Sequence, residues 1–475
     1  MEILFVASEV APFSKTGGLG DVAGALPRAL AARGHAVSVV TPRYGAIDPA
    51  RHGLKPLHRA IRVRGEATTL WVKPGRAPIY FVEHERLFGG RAGLYGERGA
   101  DYPDNAERFA YLARAALAIP AALRLRPRIV HVNDWQTGLL PYLLRHEHGH
   151  DPALAHARTV FTIHNLAYQG VFPKAAVPVL GLPWDVFRYE AMEFWDRLSF
   201  MKAALTFADA LTTVSPTYAR EILGPEFGAG LDAVLRHRTK DLTGILNGID
   251  TAEWDPTTDR YLPAHFSAEA LAGKAACKAA LQRELGLPVR ADVTLLALVS
   301  RLADQKGVDL VAAAFPALLE HDVQVALLGS GDRRYEEAFA RAARERPDRI
   351  AARIGFDEGL AHRIEAGADV FLMPSRFEPC GLNQMYSLRY GTVPVVRAVG
   401  GLEDTVQDYD GWNAGTGFKF EEYSPQALVL AVRRALDVCR DRRAWAGLVR
   451  RGMAEDNSWE RSAGRYEALY RTLGA

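Results

Sequence analysis

A glycine-rich stretch near the start of the chain, Lys15-Thr16-Gly17-Gly18-Leu19-Gly20-Asp21, has the composition of an anion site. It separates the apolar run 3–7, which predicts a buried strand, from an apolar pattern of helical period. Glycines at the start of a helix let a ligand reach main-chain N–H groups, where the helix dipole favours negative charge. We therefore expect a phosphate to bind here.

The stretch fits neither of two common nucleotide motifs. The spacing Gly18-x-Gly20-x-x-Ala23 loosely fits the dinucleotide fingerprint, but the second strand runs into Thr41-Pro42-Arg43 and does not end in the acidic residue that would hold a ribose. In a P-loop the lysine follows the glycines, whereas Lys15 precedes them. Neither NAD nor a triphosphate nest is expected.

The second half of the chain carries further candidate residues. Arg301 and Lys306 leave a strand just ahead of a helix, so two cations and a helix dipole could converge on one anion, although a solvated basic loop is the alternative. Glu378 follows another strand, and Pro379 restricts it to extended geometry, which predicts a carboxylate projecting from a fixed loop. A glycine turn at Gly400-Gly401 precedes a further helix.

Polar side chains also follow two strands of the first half. The pair Asp134-Trp135 suits a sugar's hydroxyls and apolar face, although a helix cap and a core tryptophan fit the position equally well. The pair His164-Asn165 follows the next strand, and a lone histidine there is more often structural than catalytic.

Alternating strands and helices must hold these segments, which predicts an α/β fold with parallel sheets covered on both faces. The pattern changes to short β segments between residues 57 and 83, which predicts an inserted hairpin region. A polar stretch at 254–259 places a domain boundary between roughly 240 and 260. Strands are predicted at 3–7, 36–41, 128–132, 158–163, 210–214, 293–300, 323–328, 350–355, 369–374 and 393–396.

Length and charge limit the class of protein. A chain of 475 residues exceeds the ~250–300 residues of one core, so two domains are expected. With 58 basic and 56 acidic residues the net charge of +2 gives no field for nucleic acid or a membrane. Three distant cysteines indicate reduced thiols, and no signal peptide or long apolar segment is recognised, so a cytoplasmic location is expected.

The stretch Lys15 to Asp21 resembles the signature of bacterial glycogen synthases and plant starch synthases, and further motifs recur in the expected order along the chain. The resemblance implies the GT-B fold, with two Rossmann-like domains facing each other across a deep cleft. Residues 1–245 would form the first domain, 246–456 the nucleotide-sugar domain, and 457–475 a helix returning to the first. The implied activity is that of a retaining glucosyltransferase that elongates α-1,4-glucan from ADP-glucose.

The resemblance also assigns roles to residues. Arg301 and Lys306 would grip the diphosphate, His164 the 6-hydroxyl of glucose and Glu378 its 3- and 4-hydroxyls, while Phe356 would stack on adenine. The implied catalytic residues are Lys15, His164, Arg301, Lys306 and Glu378. The implied substrate contacts are Lys15, Gly17, Gly18, Asp21, Asp134, Trp135, Asn165, Asn247, Arg301, Lys306, Phe356, Cys380, Gly381, Leu382, Gly400 and Gly401. Val399 replaces a threonine common in relatives, so the backbone donors of Gly400, Gly401 and Leu402 are expected to hold the phosphate there.

Neither a metal nor a cofactor is expected, because Asp408-Tyr409-Asp410 alone has the D-x-D spacing and its position predicts a solvated loop. The expected partners are ADP-glucose, ADP and a glycogen or malto-oligosaccharide acceptor, without nucleic acid or membrane. Two alternatives stay open: another GT-B enzyme that uses UDP-glucose, and a catalytically silent glucan-binding protein.

Overall fold

A computed structural model describes residues 1–411 and 414–474 of the chain. The chain divides into two compact units, one formed by Met1–Gly248 with the segment from Trp459 onward, the other by Ile249–Ser458. The boundaries expected from the sequence lie at residues 245 and 456, and the last residue of the predicted segment 457–475 lies outside the described residues. None of the described helices is long and apolar enough to cross a membrane.

The first unit is built on a nine-stranded sheet. Its strands and those of three small hairpins are β1 (Glu2–Val6), β2 (Ala36–Pro42), β3 (Lys55–Pro56), β4 (Ile61–Val63), β5 (Glu66–Thr68), β6 (Leu70–Lys73), β7 (Ile79–Val82), β8 (Gly96–Glu97), β9 (Ala100–Asp101), β10 (Ile129–Asn133), β11 (Arg158–Ile163), β12 (Val171–Pro173), β13 (Arg197–Ser199), β14 (Ala210–Thr213) and β15 (Leu242–Gly244).

The order in this sheet is β15-β14-β11-β10-β1-β2-β7-β6-β3. Strands β15 to β7 run parallel, and β6 and β3 extend one edge of the sheet through antiparallel pairs. The predicted hairpin region therefore extends the main sheet, because β7 pairs with β2. Apolar clusters cover both faces of the sheet, as the continuous apolar runs predict.

Helices connect the strands of the first unit and carry its polar segments at their ends. They are α1 (Gly18–Ala32), α2 (Pro49–His52), α3 (Asn105–Leu123), α4 (Leu140–Glu147), α5 (Ala176–Val179), α6 (Phe200–Phe207), α7 (Pro216–Glu221) and α8 (Asp232–His237).

The second unit repeats this plan around a six-stranded, fully parallel sheet of order β18-β17-β16-β19-β20-β21. Its strands are β16 (Thr294–Val299), β17 (Val323–Gly329), β18 (Ile350–Ile354), β19 (Val370–Met373), β20 (Val393–Arg397) and β21 (Phe418–Phe420). Its helices are α9 (Ala272–Leu285), α10 (Val308–Leu318), α11 (Arg333–Glu345), α12 (Glu358–Gly367), α13 (Asn383–Arg389), α14 (Gly400–Thr405), α15 (Pro425–Arg440) and α16 (Arg442–Met453). The predicted α/β class with parallel sheets is confirmed.

The last helix, α17 (Trp459–Thr472), belongs to the first unit and packs against α1. Tyr470 on α17 hydrogen-bonds the buried His131 of β10 through its hydroxyl (2.7 Å to Nδ1). Arg33, which follows α1, forms ion pairs of 2.8 and 2.7 Å with Glu460 and Glu467 of α17. Apolar and polar contacts together attach this helix to the sheet.

Candidate active site

The loop between β1 and α1 is held by a buried carboxylate that the sequence reading did not single out. Glu9 accepts hydrogen bonds from the Thr16 main-chain N–H and hydroxyl (both 2.6 Å) and from the Tyr95 hydroxyl (2.6 Å). Its side chain is nearly inaccessible to solvent. Glu9 therefore fixes the backbone that carries Lys15 and the glycines. The sequence signal for this role is an acidic residue shortly after a buried strand.

Lys15 and the glycines after it lie at the N-terminus of α1. Lys15 Nζ forms an ion pair with Asp21 Oδ1 (2.7 Å), and half of the lysine side chain stays exposed. A Cβ on Gly17 or Gly18 would meet no atom within 4 Å, whereas one on Gly20 would lie 3.1 Å from Lys15 and Ser14 atoms. Internal packing explains Gly20, while Gly17 and Gly18 leave open space beside the helix terminus where an anion is favoured.

We expect Glu9→Gln to lower the free energy of unfolding by about 1–3 kcal/mol, because the amide group of glutamine turns a donor toward buried donors. Hydrogen exchange at the Thr16 and Gly17 amides should accelerate with it. Glu2→Gln is the matched control, since Glu2 also accepts a main-chain N–H (from Arg126, 3.0 Å) but at an exposed position. Unchanged protection at Thr16 in Glu9→Gln would contradict this role.

Asp134 joins the ends of β10 and β11. Its Oδ1 accepts the main-chain N–H groups of His164 (2.7 Å) and Asn165 (3.4 Å), and the side chain makes no capping bond to the turn that follows it. The backbone of Asp134 is left-handed, with φ 53°. Burial raises the pKa of this carboxyl to about 7. The helix-cap alternative is therefore wrong, and Asp134 positions the His164-Asn165 loop.

His164 is a neutral side chain of defined tautomer. The Nδ2 group of Asn133 donates to Val6 O (3.0 Å), so its Oδ1 faces His164 Nε2 at 3.0 Å as an acceptor. His164 therefore carries its proton on Nε2, which leaves Nδ1 as a lone pair. Burial lowers the pKa of His164 to about 3. At neutral pH its Nδ1 can therefore accept a hydrogen bond from a hydroxyl but has no proton to donate.

The prediction that Trp135 contacts a sugar needs correction. The indole is buried in the core against Phe109 and Phe172, with ring centroids 5.0 and 5.8 Å away. Gly170 covers it so closely that a Cβ there would lie 2.3 Å from the indole. The tryptophan is packing, because no ring face is left for a ligand.

Two predicted asparagines differ in their surroundings. Asn165 Oδ1 accepts the Ala167 N–H (3.1 Å) and shapes the loop after His164. Asn247 follows β15, and its Oδ1 is buried without a hydrogen-bond partner. An unpaired buried acceptor is costly, so Asn247 is a candidate for binding a ligand donor.

We expect Asp134→Asn to stabilise the protein at pH 8 by about 1–3 kcal/mol and to have little effect near pH 4. The raised pKa means that the folded state holds this proton to about pH 7, so wild-type stability falls as pH rises from about 4 to 7. Asparagine keeps the Oδ1 acceptor and removes that titration. Urea unfolding at both pH values measures the effect, with Asp151→Asn as control because Asp151 also accepts a main-chain N–H (from Ala153, 2.8 Å). Parallel pH profiles for wild type and Asp134→Asn would contradict the assignment.

In the second unit the predicted cation and carboxylate form an ion pair. Lys306 Nζ lies 2.6 Å from Glu378 Oε2, and the Ser375 hydroxyl donates to the same oxygen (3.0 Å). The Glu378 side chain is 7% exposed and that of Lys306 is 21% exposed. Arg301 lies at the surface and donates to Gln305 Oε1 (3.4 Å). The loops after β16 and β19 thus place two cations and a carboxylate in the same unit.

The two glycines that begin α14, Gly400 and Gly401, do not present all the donors that were expected of them. Gly401 N–H donates to Glu378 O (3.0 Å), and Leu402 N–H donates to Val399 O (3.0 Å). Gly400 has φ 47°, and a Cβ there would lie 1.9 Å from Glu378 O. The prediction that Gly401 and Leu402 offer their N–H groups to phosphate is corrected, because the turn instead holds the backbone of Glu378.

The residues after Glu378 also serve packing. Cys380 is buried, and a Cβ on Gly401 would lie 2.1 Å from its carbonyl oxygen. Gly381 adopts φ 75°, ahead of Leu382 and α13. Gln384, which sequence reading passed over, donates to Cys380 O (3.1 Å) and Gly381 O (3.0 Å) and so fixes this loop.

Phe356 and the D-x-D segment lie at the surface. Phe356 is 88% exposed and follows Gly355 in the loop after β18, so its ring face can stack on a ligand. Asp408 accepts the Lys419 N–H (2.7 Å) and pairs with Arg434 (2.9 Å), while Asp410 accepts the Ala414 N–H (3.3 Å). These aspartates stabilise a loop.

The fold and these sites define a two-domain glycosyltransferase of the GT-B type. The sequence model described as starch synthase catalytic domain matches residues 2–237, and that of glycosyl transferases group 1 matches residues 287–447. The chain belongs to the glycogen synthase family. It is 77% identical over 473 residues to the glycogen synthase of Anaeromyxobacter dehalogenans strain 2CP-C, covering 100% of both chains, and 52% identical over 483 residues to that of Myxococcus xanthus strain DK1622, again over 100% of both.

Solved structures agree with this assignment. The catalytic domain of Starch Synthase IV from Arabidopsis thaliana bound to ADP and acarbose has a TM-score of 0.91 and 36% identity, covering 100% of this chain and 99% of that one. Sucrose-phosphate synthase from Thermosynechococcus elongatus has a TM-score of 0.63 at 21% identity, covering 100% and 99%, and shows likeness of fold alone.

Proposed function

We propose that the chain is a retaining glucosyltransferase that elongates an α-1,4-glucan from ADP-glucose and releases ADP. The bond from glucose C1 to the diphosphate oxygen breaks, C1 joins the 4-hydroxyl oxygen of the acceptor, and the hydroxyl proton leaves with ADP. The Lys306–Glu378 pair carries the proposal, because it places a cation suited to a phosphate 2.6 Å from a carboxylate suited to sugar hydroxyls.

Negative charge develops on the leaving diphosphate, and fixed positive groups lower the barrier when they are already in place. Lys306 and Arg301 are the groups that we assign to this task in the second unit. Lys306 and Glu378 neutralise each other, so neither charge is buried alone. Donor binding would exchange this pairing for phosphate at Lys306 and sugar hydroxyls at Glu378.

The other assignments follow the same chemistry. Phe356 offers an exposed ring for adenine, and His164 Nδ1 can accept a hydrogen bond from the 6-hydroxyl of glucose. Lys15 and the open space at Gly17 and Gly18 suit an anionic group at the start of α1. The starch synthase relative bound to ADP and acarbose supports a nucleoside diphosphate and a glucan as the ligands.

One assay tests the proposal directly: the protein is incubated with glycogen and either labelled ADP-glucose or labelled UDP-glucose, and label in the polymer is counted. Incorporation from ADP-glucose is the expected result. Incorporation from UDP-glucose alone would overturn the donor assignment, and incorporation from neither would favour a catalytically silent glucan-binding protein.

We expect EDTA to leave kcat unchanged at saturating ADP-glucose, because Lys306 and Arg301 supply the charge that a metal ion would otherwise provide. The D-x-D aspartates are already bonded to Lys419, Arg434 and Ala414. Activity that is lost in the chelator and restored by magnesium would contradict this account.

A further inference from the structure

His362 occupies an unusual position in the second unit. Its ring on α12 is 1% exposed, and Nδ1 hydrogen-bonds Asp259 Oδ2 at 2.7 Å. The same oxygen accepts the Tyr390 hydroxyl (2.6 Å), and Oδ1 accepts the Tyr261 N–H (2.9 Å), so Asp259 acts only as an acceptor. His362 therefore carries its proton on Nδ1, and a neutral ring has a lone pair on Nε2.

That Nε2 atom is buried and has no hydrogen-bond partner. One ring nitrogen of His362 and one carboxylate oxygen each of Glu253 and Glu358 lie within 4.8 Å of one another. Because Nδ1 is engaged by Asp259, Nε2 is the nitrogen that remains for this cluster. A lone pair and two carboxylates this close together form a site in which a small cation would be stabilised.

The surrounding structure fixes the cluster. Trp254 stacks on the His362 ring at 3.7 Å between centroids and 13° between planes, which holds the imidazole in one orientation. Glu358 and His362 are four residues apart on α12, so they share one helix face. The nearby Arg260 guanidinium donates to the Tyr261 hydroxyl (2.8 Å). That hydrogen bond raises the pKa of Arg260, and Glu358 and Glu253 contribute to the rise, so the two carboxylates already attract positive charge.

We propose that Glu253, Glu358 and Nε2 of His362 bind a divalent transition-metal cation, with zinc as the ion that their chemistry fits best. An imidazole and two carboxylates, with water as a fourth ligand, suit zinc, whereas magnesium and calcium prefer oxygen ligands. The Asp259–His362 hydrogen bond is the carboxylate–histidine contact that orients metal-binding imidazoles. The exposed glutamate side chains can close to the ~2.0–2.2 Å that zinc–oxygen bonds require.

The cation would join the segment around Glu253 to the start of α12, which also contact each other through the Trp254 and His362 rings. None of the three ligands belongs to the proposed reaction centre at Lys306 and Glu378. Metal loss is therefore expected to reduce stability and to leave kcat unchanged.

The test uses the full chain, stripped with chelator, dialysed and titrated with zinc chloride by calorimetry. We expect one strong zinc site in the wild type and about hundredfold weaker binding in the double variant Glu253→Gln/Glu358→Gln. Zinc at about one hundred times its Kd should raise the thermal midpoint of the wild type by about 5 °C and that of the double variant by much less. Glutamine retains side-chain shape at two exposed positions, so the variant is expected to fold.

The matched control is Glu320→Gln/Glu345→Gln, which removes the same charge from two exposed glutamates of this unit. It should bind zinc like the wild type. Equal zinc affinity and stoichiometry in the wild type and Glu253→Gln/Glu358→Gln would overturn the proposal and assign binding to other groups among the 14 histidines and 3 cysteines. No strong zinc binding to the wild type would overturn it as well.

Discussion

Glu378→Gln is expected to lower kcat by about a hundredfold or more while the Kd for ADP changes only about threefold. The substituted group has the sugar as its proposed partner, and we assign the nucleotide to other residues. Interactions made mainly with the reacting sugar appear in kcat, whereas those made with ADP appear in binding. Glutamine keeps the length of the side chain and the proximity of Ser375, so the loop should retain its shape.

Turnover with ADP-glucose and calorimetric binding of ADP measure the two quantities separately. Asp369→Asn is the matched control, because Asp369 forms an equally short ion pair with Lys278 (2.6 Å) in the same unit, away from the loops that we assign to the donor. Near-normal kcat in Glu378→Gln would show that Glu378 only anchors its loop. A loss of the same size in Asp369→Asn would attribute the effect to general destabilisation.

As a single substitution, Lys306→Met is expected to reduce kcat by on the order of a hundredfold or more and to weaken ADP binding as well. In the proposed role Lys306 stabilises the diphosphate both in the bound donor and as it leaves, so both kcat and ADP affinity should depend on it. Methionine keeps much of the apolar stem but leaves the Glu378 carboxylate, 7% exposed, without its cation. Stability should therefore fall by about 3–5 kcal/mol.

The double variant Lys306→Met/Glu378→Gln separates the two consequences. It removes both charges, so most of the lost stability should return. Its kcat should stay as low as that of the less active single variant. Kinetics and urea unfolding of the four proteins complete the cycle. Recovery of turnover together with stability would mean that the ion pair is structural, and it would contradict the catalytic assignment.

Much of the fold follows from local pattern, because parallel strands buried on both faces need continuous apolar runs. The runs at Ile3 and Val160 predicted strands that the structure contains as β1 and β11. The hairpin region 57–83 was recognised, but its place beside β2 depends on contacts between distant segments that periodicity does not encode.

In the candidate site, too, local pattern identified some residues, whereas contacts between distant segments decided the roles of others. Lys306 and Glu378 were selected by residue type and position, and they lie together in one unit. Trp135 was assigned to a sugar because an aromatic side chain after a strand fits both a ligand and a core, and only its neighbours decide between them. The roles of Glu9 and of the Gly401 amide were not predicted, because the partner of Glu9, Tyr95, is remote in sequence and the partner of the amide is the main-chain oxygen of Glu378.

The position of α17 has a consequence for the order in which a growing chain can fold. This helix supplies Trp459, Ala463, Tyr466 and Tyr470 to the apolar cluster that contains Ile3 and Val22. About 210 residues, which form the second unit, are translated between Gly248 and Trp459. At a typical ~5–20 residues per second, that interval lasts about 10–40 s.

During this interval the first unit lacks the helix that covers one face of its sheet. The part of the Ile3 cluster that α17 covers stays exposed to water, and the Nδ1 atom of His131 lacks its Tyr470 hydroxyl partner. The second unit contains all its strands and helices within one continuous segment and can fold as soon as that segment has left the ribosome. The half of the chain that is synthesised first is therefore completed last, and a nascent chain held on the ribosome depends on protection of that apolar face.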